Sequence, residues 1–160
     1  MSQFAISWRL CRGRFLSEVQ GLSQEQLNWR IYPGALTIGE MALHVAGVEL
    51  SFISQLTGLQ LTDQQARLKA TATEGVVNEN PFPFSPAEIT PELVVKSLAE
   101  SESLTEPLID APSDEILNKE IVSALGPVIT GEGALARFAF HPGYHQGQAY
   151  QIKQAPGFPR

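Results

Sequence analysis

The sequence predicts an all-α protein, with residues 1–160 forming one domain built as a four-helix bundle. Three observations lead to this fold class. Four long segments carry apolar residues at steps of three and four, which is the spacing of one helix face. Capping residues, glycines and prolines mark where those segments begin and end. One long connection lies between the second and third helices, as in bundles with a crossover.

The first two long helices have recognisable ends. The first is expected over about residues 2–20, with Gly21 as its C-terminal stop. The second should begin with a capping box, in which the Thr37 hydroxyl accepts from a free backbone N–H and Glu40 reaches back to the cap. It is expected to end near Gly58.

The stretch over residues 58–89 is too long for an ordinary connection within one domain. Thr62 is expected to cap a short helix that ends near Thr71. The following segment, 78–86, contains three prolines, which disfavour both a helix and a central strand. A crossover between two parallel helices would account for the length.

The third long helix is expected to open at residues 90–91, where an N-cap threonine precedes a proline at the first helical position, and to end before Pro112. Residues 113–132 have a mixed pattern that fits either an extended piece or a short helix. The last helix should begin at residues 130–131 and run to the Pro-Gly pair at 156–157.

Charge and cysteine content narrow the function classes. The chain has 11 basic and 17 acidic residues, and no cluster of Lys or Arg. Nucleic acid and anionic membrane are therefore not expected as partners. The single cysteine, Cys11, excludes an internal disulfide, and no signal-peptide or membrane-spanning pattern is evident. We expect a cytoplasmic protein.

The three histidines are the candidate site. His141 and His145 stand four residues apart, so in a helix they lie on one face with Cβ atoms about 5–6 Å apart. His44 lies midway along the second helix, among apolar residues, and bundle metal sites form where inward side chains of facing helices meet. Three imidazoles suit zinc, nickel, copper or ferrous iron. Three ligands also leave a position open, as in catalytic sites.

The same residues allow simpler interpretations. A histidine on an apolar helix face is commonly a core residue bonded to a carbonyl, and a histidine pair on a helix surface arises by chance. Pro142 lies inside the pair, where it removes a helix hydrogen bond and should kink the helix beside His141. Spacing alone leaves open whether His44 meets the pair.

Three short motifs resemble those of the DinB/YfiT-like superfamily. The segment Leu36-Thr-Ile-Gly-Glu-Met-Ala-Leu-His44 looks like its second-helix motif, and His141-Pro-Gly-Tyr-His145-Gln-Gly-Gln148 looks like its last-helix motif. The opening turn over residues 22–29 is also similar, and the resemblance spans most of the chain.

This resemblance implies a bundle in up-down-down-up order with a long crossover between helices two and three. It also implies that His44, His141 and His145 bind a divalent metal, zinc or nickel first among them, and that the protein is a homodimer. Known activities in the superfamily include transferases and isomerases that use low-molecular-weight thiols such as bacillithiol or mycothiol.

Three hypotheses follow for the function. The first is a metal-dependent enzyme, a thiol-dependent transferase or a hydrolase, that uses the open position. The second is a non-catalytic metal-binding or small-ligand-binding protein of a stress response. The third is a bundle whose histidines only pack. The substrate is not indicated by any of these residues.

Overall fold

The computed structural model describes residues 1–160, and the chain is mostly helical. The seven helices are α1 (Gln3–Val19), α2 (Gln24–Asn28), α3 (Ile38–Thr57), α4 (Asp63–Ala70), α5 (Pro91–Asp110), α6 (Asp114–Asn118) and α7 (Gly131–Gln154). Two strands, β1 (Glu120–Val122) and β2 (Val128–Thr130), form an antiparallel hairpin. The mostly helical structure agrees with the all-α prediction, and this short hairpin is its one extended piece. No helix is long and apolar enough to span a membrane.

The helix boundaries follow local capping chemistry. The expected capping box opens α3, since the Thr37 hydroxyl accepts from Glu40 N and a Glu40 carboxylate oxygen accepts from Thr37 N. At the other end, Gly58 adopts a left-handed conformation with φ of 75°, which glycine reaches at little cost. The crossover helix α4 begins at its expected cap, Thr62. These local signals therefore place both ends of α3 correctly.

Helix α3 lies at the centre of the molecule. Most of its side chains are buried on all sides, because α4, α5 and α7 each pack against it. The approach of α4 is very close: a Cβ atom on Gly47 would stand 2.4 Å from the Leu68 carbonyl oxygen. Only glycine fits there, and the contact brings the residues that follow Leu68 beside the middle of α3.

Contacts at the helix ends relate α1 to α5 and α7. Ser2 N donates to the Asp110 carbonyl, so the start of α1 lies against the end of α5. Glu18 forms an ion pair with Lys153 at 2.9 Å, so the end of α1 lies against the end of α7. Helix α1 packs more extensively against α7 than against any other element.

Two further contacts relate α3 to its neighbours. Gly39, in the first turn of α3, lies against Ile89, just before α5. Phe52 stacks edge-on against Phe138 of α7, with ring centroids 5.6 Å apart. The second half of α3 therefore faces the first half of α7, and His44 lies about two turns before Phe52 on α3.

The hairpin is held against the end of α3. The Gln55 amide exchanges two hydrogen bonds with the backbone of Val122, and Lys119 Nζ donates to the Leu56 carbonyl. Residues 113–132 thus contain both a short helix and an extended piece, the two structures that their mixed pattern allowed. The hairpin turn at residues 123–125 is brought to the rim of an interior pocket.

Candidate metal centre

The three histidines converge in the interior between α3 and α7. His141 Nε2 lies 3.0 Å from His44 Nε2 and 3.0 Å from His145 Nε2. His44 and His145 are buried, with 5% and 4% of their surfaces exposed, and His141 is half-buried. The long-range meeting of His44 with the pair, which spacing alone left open, is present in the structure.

Helix α7 continues through Pro142 without a break, from Gly131 to Gln154. The expected disturbance beside His141 therefore does not remove that ring from the cluster; His141 is its central member, within 3.0 Å of both other rings. The neighbouring Gly143 allows close packing of α7 on α1, because a Cβ atom there would stand 3.1 Å from Cys11 Sγ.

Hydrogen bonds fix the tautomers of the two outer histidines. His44 Nδ1 lies 2.7 Å from the Thr71 carbonyl oxygen, which can only accept, so Nδ1 carries the proton. His145 Nδ1 lies 2.7 Å from Gln148 Oε1, and the Gln148 amide nitrogen donates to Tyr144 Oη. With the amide oxygen directed at His145, Nδ1 of that ring also carries its proton. Both neutral rings present an unprotonated Nε2 to the centre of the cluster.

With these tautomers, the centre of the cluster has fewer hydrogens than its two nitrogen–nitrogen contacts need. His141 Nε2 has one hydrogen at most and so can donate to only one of its two neighbours. At the other 3.0 Å contact, two nitrogen lone pairs face each other with no proton between them. A cation bound by all three nitrogens would remove this repulsion. The outward Nδ1–H bonds of His44 and His145 are the support that metal-ligating imidazoles ordinarily have.

The environment keeps the histidines neutral. Burial lowers the pKa of His44, and the Thr71 carbonyl opposes this only in part. Burial, followed by the nearby charges of His145 and His44, holds the pKa of His141 well below its usual range. Burial and then His44 lower the pKa of His145 to about 4. Imidazole binds metal in its neutral form, so the donors are in the required state at neutral pH.

The lowered pKa values predict how the stability of the metal-free protein changes with pH. An unfolded histidine takes up a proton near pH 6.5, whereas folded His145 does so near its pKa of about 4. Between these values the unfolded chain binds more protons than the folded one. The contribution of neutral His145 to the free energy of unfolding is therefore fully present above pH 6.5, and it is lost as the pH drops toward 4. The expected slope is about 1.4 kcal/mol per pH unit for each such histidine.

Urea unfolding of the metal-free protein at about pH 7 and about pH 5 measures this dependence. His145→Gln is the matched comparison, because it removes one titrating ring and leaves the carboxylates in place. Its stability should fall less steeply over the same range. Equal slopes for the two proteins would contradict the assignment of a lowered pKa to His145.

The cluster lines a large open pocket of about 880 Å³. Of its 23 lining residues, 15 are hydrophobic. They come from α3, α7, the loop before α3, the segment that follows α4 and the hairpin turn. A mostly apolar cavity with a few polar groups at one place is the usual form of a small-molecule site. Any ion held by the histidines would face this space.

The acidic residues nearest His44 in sequence are engaged elsewhere. Glu40 completes the α3 cap and pairs with Arg30 at 2.7 Å. Glu49 is buried on another side of α3, where it accepts hydrogen bonds from Trp8 and Ser101. No carboxylate lines the pocket. Neither glutamate is therefore placed to act as a general base there.

Sequence reasoning identified some supporting residues and missed others. Gln148, the last residue of the motif that begins at His141, holds the ring of His145. Thr71 was missed, since it acts through its backbone carbonyl, which any residue would supply. Arg137 was also missed, although its position four residues before His141 puts it on the same helix face and in the pocket wall.

Fold and site together define a mostly helical protein with an interior cluster of three histidines that could hold a divalent metal. The sequence pattern of the DinB superfamily matches residues 7–149. The chain belongs to that superfamily. Comparison with curated proteins finds no match.

Two solved structures share the fold. A conserved protein from Enterococcus faecalis is 21% identical, with a TM-score of 0.68 and 96% of each chain covered. A DinB-like protein from Bacillus cereus is 19% identical, with a TM-score of 0.63, and the alignment covers 98% of this chain and 94% of that one. At these identities the likeness concerns the fold.

Proposed function

We propose that His44, His141 and His145 bind one divalent transition metal, zinc or nickel, and that the protein is a metal-dependent enzyme of the transferase or hydrolase type. The observation that carries the proposal is the pair of unprotonated Nε2 atoms directed at His141 Nε2, which can donate a hydrogen to only one of them. Nitrogen donors of this kind suit zinc and nickel better than magnesium or calcium.

The proposed architecture is a four-helix bundle of α1, α3, α5 and α7 in up-down-down-up order. The helix-end contacts support it, because they align α1 with α7 and oppose α1 to α5. The contact of Gly39 with Ile89 aligns the starts of α3 and α5, and the connection between those helices is the long crossover. A homodimer and a thiol co-substrate belong to the same proposal on the family resemblance alone, and a cytoplasmic location belongs to it because the chain has a single cysteine.

The residues around the cluster have separate roles in this proposal. The three imidazoles hold the ion and leave part of its coordination sphere open to the pocket. A bound ion supplies Lewis acidity and lowers the pKa of a bound water. Gln148 fixes the orientation of His145 and is itself held by the Tyr144 hydroxyl. The apolar wall binds the body of a substrate and limits the access of bulk water.

Metal analysis tests the binding part of this proposal. Protein purified without chelator is expected to contain about one zinc or nickel ion per chain, and chelator-treated protein should take up about one equivalent on titration. Elemental analysis and calorimetry give the two stoichiometries. Absence of any transition metal from protein never exposed to chelator, combined with no uptake on titration, would overturn the proposal.

A non-catalytic metal-binding or ligand-binding protein is the second candidate, and one observation favours it. No carboxylate and no thiol lines the pocket, so neither kind of proton acceptor or nucleophile is supplied there by the chain. Turnover assays of the metal-loaded protein, with low-molecular-weight thiols and electrophiles, distinguish the two candidates. Metal-dependent turnover that His145→Ala abolishes would establish the enzyme and exclude the second candidate.

A further inference from the structure

Arg137 is a cation without a partner inside the pocket. Its side chain is half-buried, and its Nη1 atom is fully buried with no hydrogen-bond partner. It forms no ion pair with any acidic residue. Arg12, the other arginine that reaches the interior, lies 3.1 Å from a carboxylate oxygen of Glu49. No guanidinium nitrogen of Arg137 donates to a protein atom, so this pocket-lining residue has donors available to a ligand.

The charges of the pocket wall all favour an anion. Arg137 is the only Lys or Arg among the lining residues, and no Asp or Glu is present to repel a negative group. The imidazoles of the cluster carry no negative charge in either of their protonation states. The planar guanidinium donates paired hydrogen bonds that match an oxyanion such as a carboxylate or sulfonate.

The position of Arg137 relates this cation to the histidine cluster. It precedes His141 by four residues in α7, so both lie on one face, about 6 Å apart along the helix axis. Ser123, in the hairpin turn, lines the same pocket, and its hydroxyl accepts from Leu125 N while donating to no protein atom. Both the arginine and the serine therefore have donors available to an oxyanion in the cavity.

The rest of the pocket is suited to an apolar group. Val48 and Phe52 of α3 and Phe140 of α7 are among the 15 hydrophobic lining residues. Phe140 is 67% exposed, and Leu125 at the hairpin turn is 72% exposed, so the mouth of the pocket is apolar as well. Exposed apolar residues grouped at one opening are a mark of a binding surface.

We propose that Arg137 binds the oxyanion of a small amphipathic ligand whose apolar body fills the pocket beside the histidine cluster. The proposal rests on the proposed function, because it names the substrate class of the same pocket: an anionic, largely apolar small molecule. The anion binds at the arginine, and the adjoining part of the ligand faces the three imidazoles. Arg137 is thus a specificity-determining residue.

Two matched dyes test this proposal in the metal-free protein. Anilinonaphthalene sulfonate is an apolar anion, and phenylnaphthylamine has the same rings without the sulfonate. Fluorescence titration should give tighter binding of the sulfonate dye to the wild-type protein. Arg137→Gln should weaken the sulfonate dye about tenfold or more and change the neutral dye by less than about twofold.

The control variant is Arg14→Gln, which makes the same charge change on the exposed face of α1, away from the pocket. It should leave both dyes unaffected. Equal affinities of the two dyes for wild-type protein would overturn the proposal without any variant, as would parallel losses of both dyes in Arg137→Gln. Metal titration separates the two proposals, since Arg137→Gln should still take up about one equivalent. Failure of wild-type protein to bind metal would instead count against the proposed function and leave the dye result valid.

Discussion

Replacing His44 by alanine is expected to weaken zinc or nickel binding by more than about 100-fold. The substitution removes one of three donors from a cluster in which His141 Nε2 lies 3.0 Å from His44 Nε2. Loss of a residue that only supports a ligand costs about 10–100-fold, and loss of the ligand itself should exceed that. Competition with a chromophoric chelator measures the affinity.

Two variants provide the scale for this result. Gln148→Ala should weaken binding by about 10–100-fold, because it removes the acceptor that orients His145. Gln151→Ala alters another polar residue of the same pocket wall that makes no hydrogen bond to a histidine, and it should bind metal as the wild-type protein does. Full metal affinity in folded His44→Ala protein would exclude this residue as a ligand.

Replacing Glu49 by alanine is expected to lower the free energy of unfolding by about 3–5 kcal/mol. Glu49 and Arg12 are both buried, with 2% of each side chain exposed, and they lie 3.1 Å apart. Trp8 and Ser101 also donate to the carboxylate. The variant leaves the guanidinium in the interior without its charge partner, and two of its nitrogens already lack acceptors. Urea or guanidinium unfolding measures the loss.

An exposed ion pair supplies the comparison. Arg67 and Glu88 lie 2.8 Å apart with 45% and 44% of their side chains exposed, so Glu88→Ala should cost less than about 1 kcal/mol. The double variant Arg12→Met, Glu49→Leu removes both buried charges and should be markedly more stable than Glu49→Ala. A loss of unfolding free energy in Glu49→Ala no larger than in Glu88→Ala would contradict the prediction that an unpaired Arg12 guanidinium destabilises the interior.

Local signals explain why much of the fold could be predicted from the sequence. The capping box at Thr37 and the left-handed Gly58 depend on a few adjacent residues, and both ends of α3 were therefore predicted correctly. The hairpin was not predicted as such. Its strands have three residues each, too few to show the alternation of apolar and polar side chains that marks a strand. The hairpin is also held by Gln55, from a distant part of the chain.

The site was predictable to the extent that it depends on side-chain type and helical spacing. His141 and His145 stand four residues apart, and the family motif added His44. The meeting of His44 with the other two depends on how α3 packs on α7, which spacing does not contain. The Thr71 carbonyl could not be predicted because it is a backbone group that any residue supplies. The position of Arg137 in the pocket wall depends on the tertiary structure, which its place in the sequence does not indicate.

The contact between α4 and Gly47 has a consequence for how the sequence of this protein can change over time. The crossover tolerates altered length only in certain places, because the Thr71 carbonyl must reach His44 Nδ1 and sits where α4 meets Gly47. Extra residues in the exposed loop at 58–62 would leave that register intact. A single residue inserted between α4 and Thr71 would shift the carbonyl and release the ring. Insertions in relatives with a functional cluster should therefore fall before α4 or after residue 72, and not between.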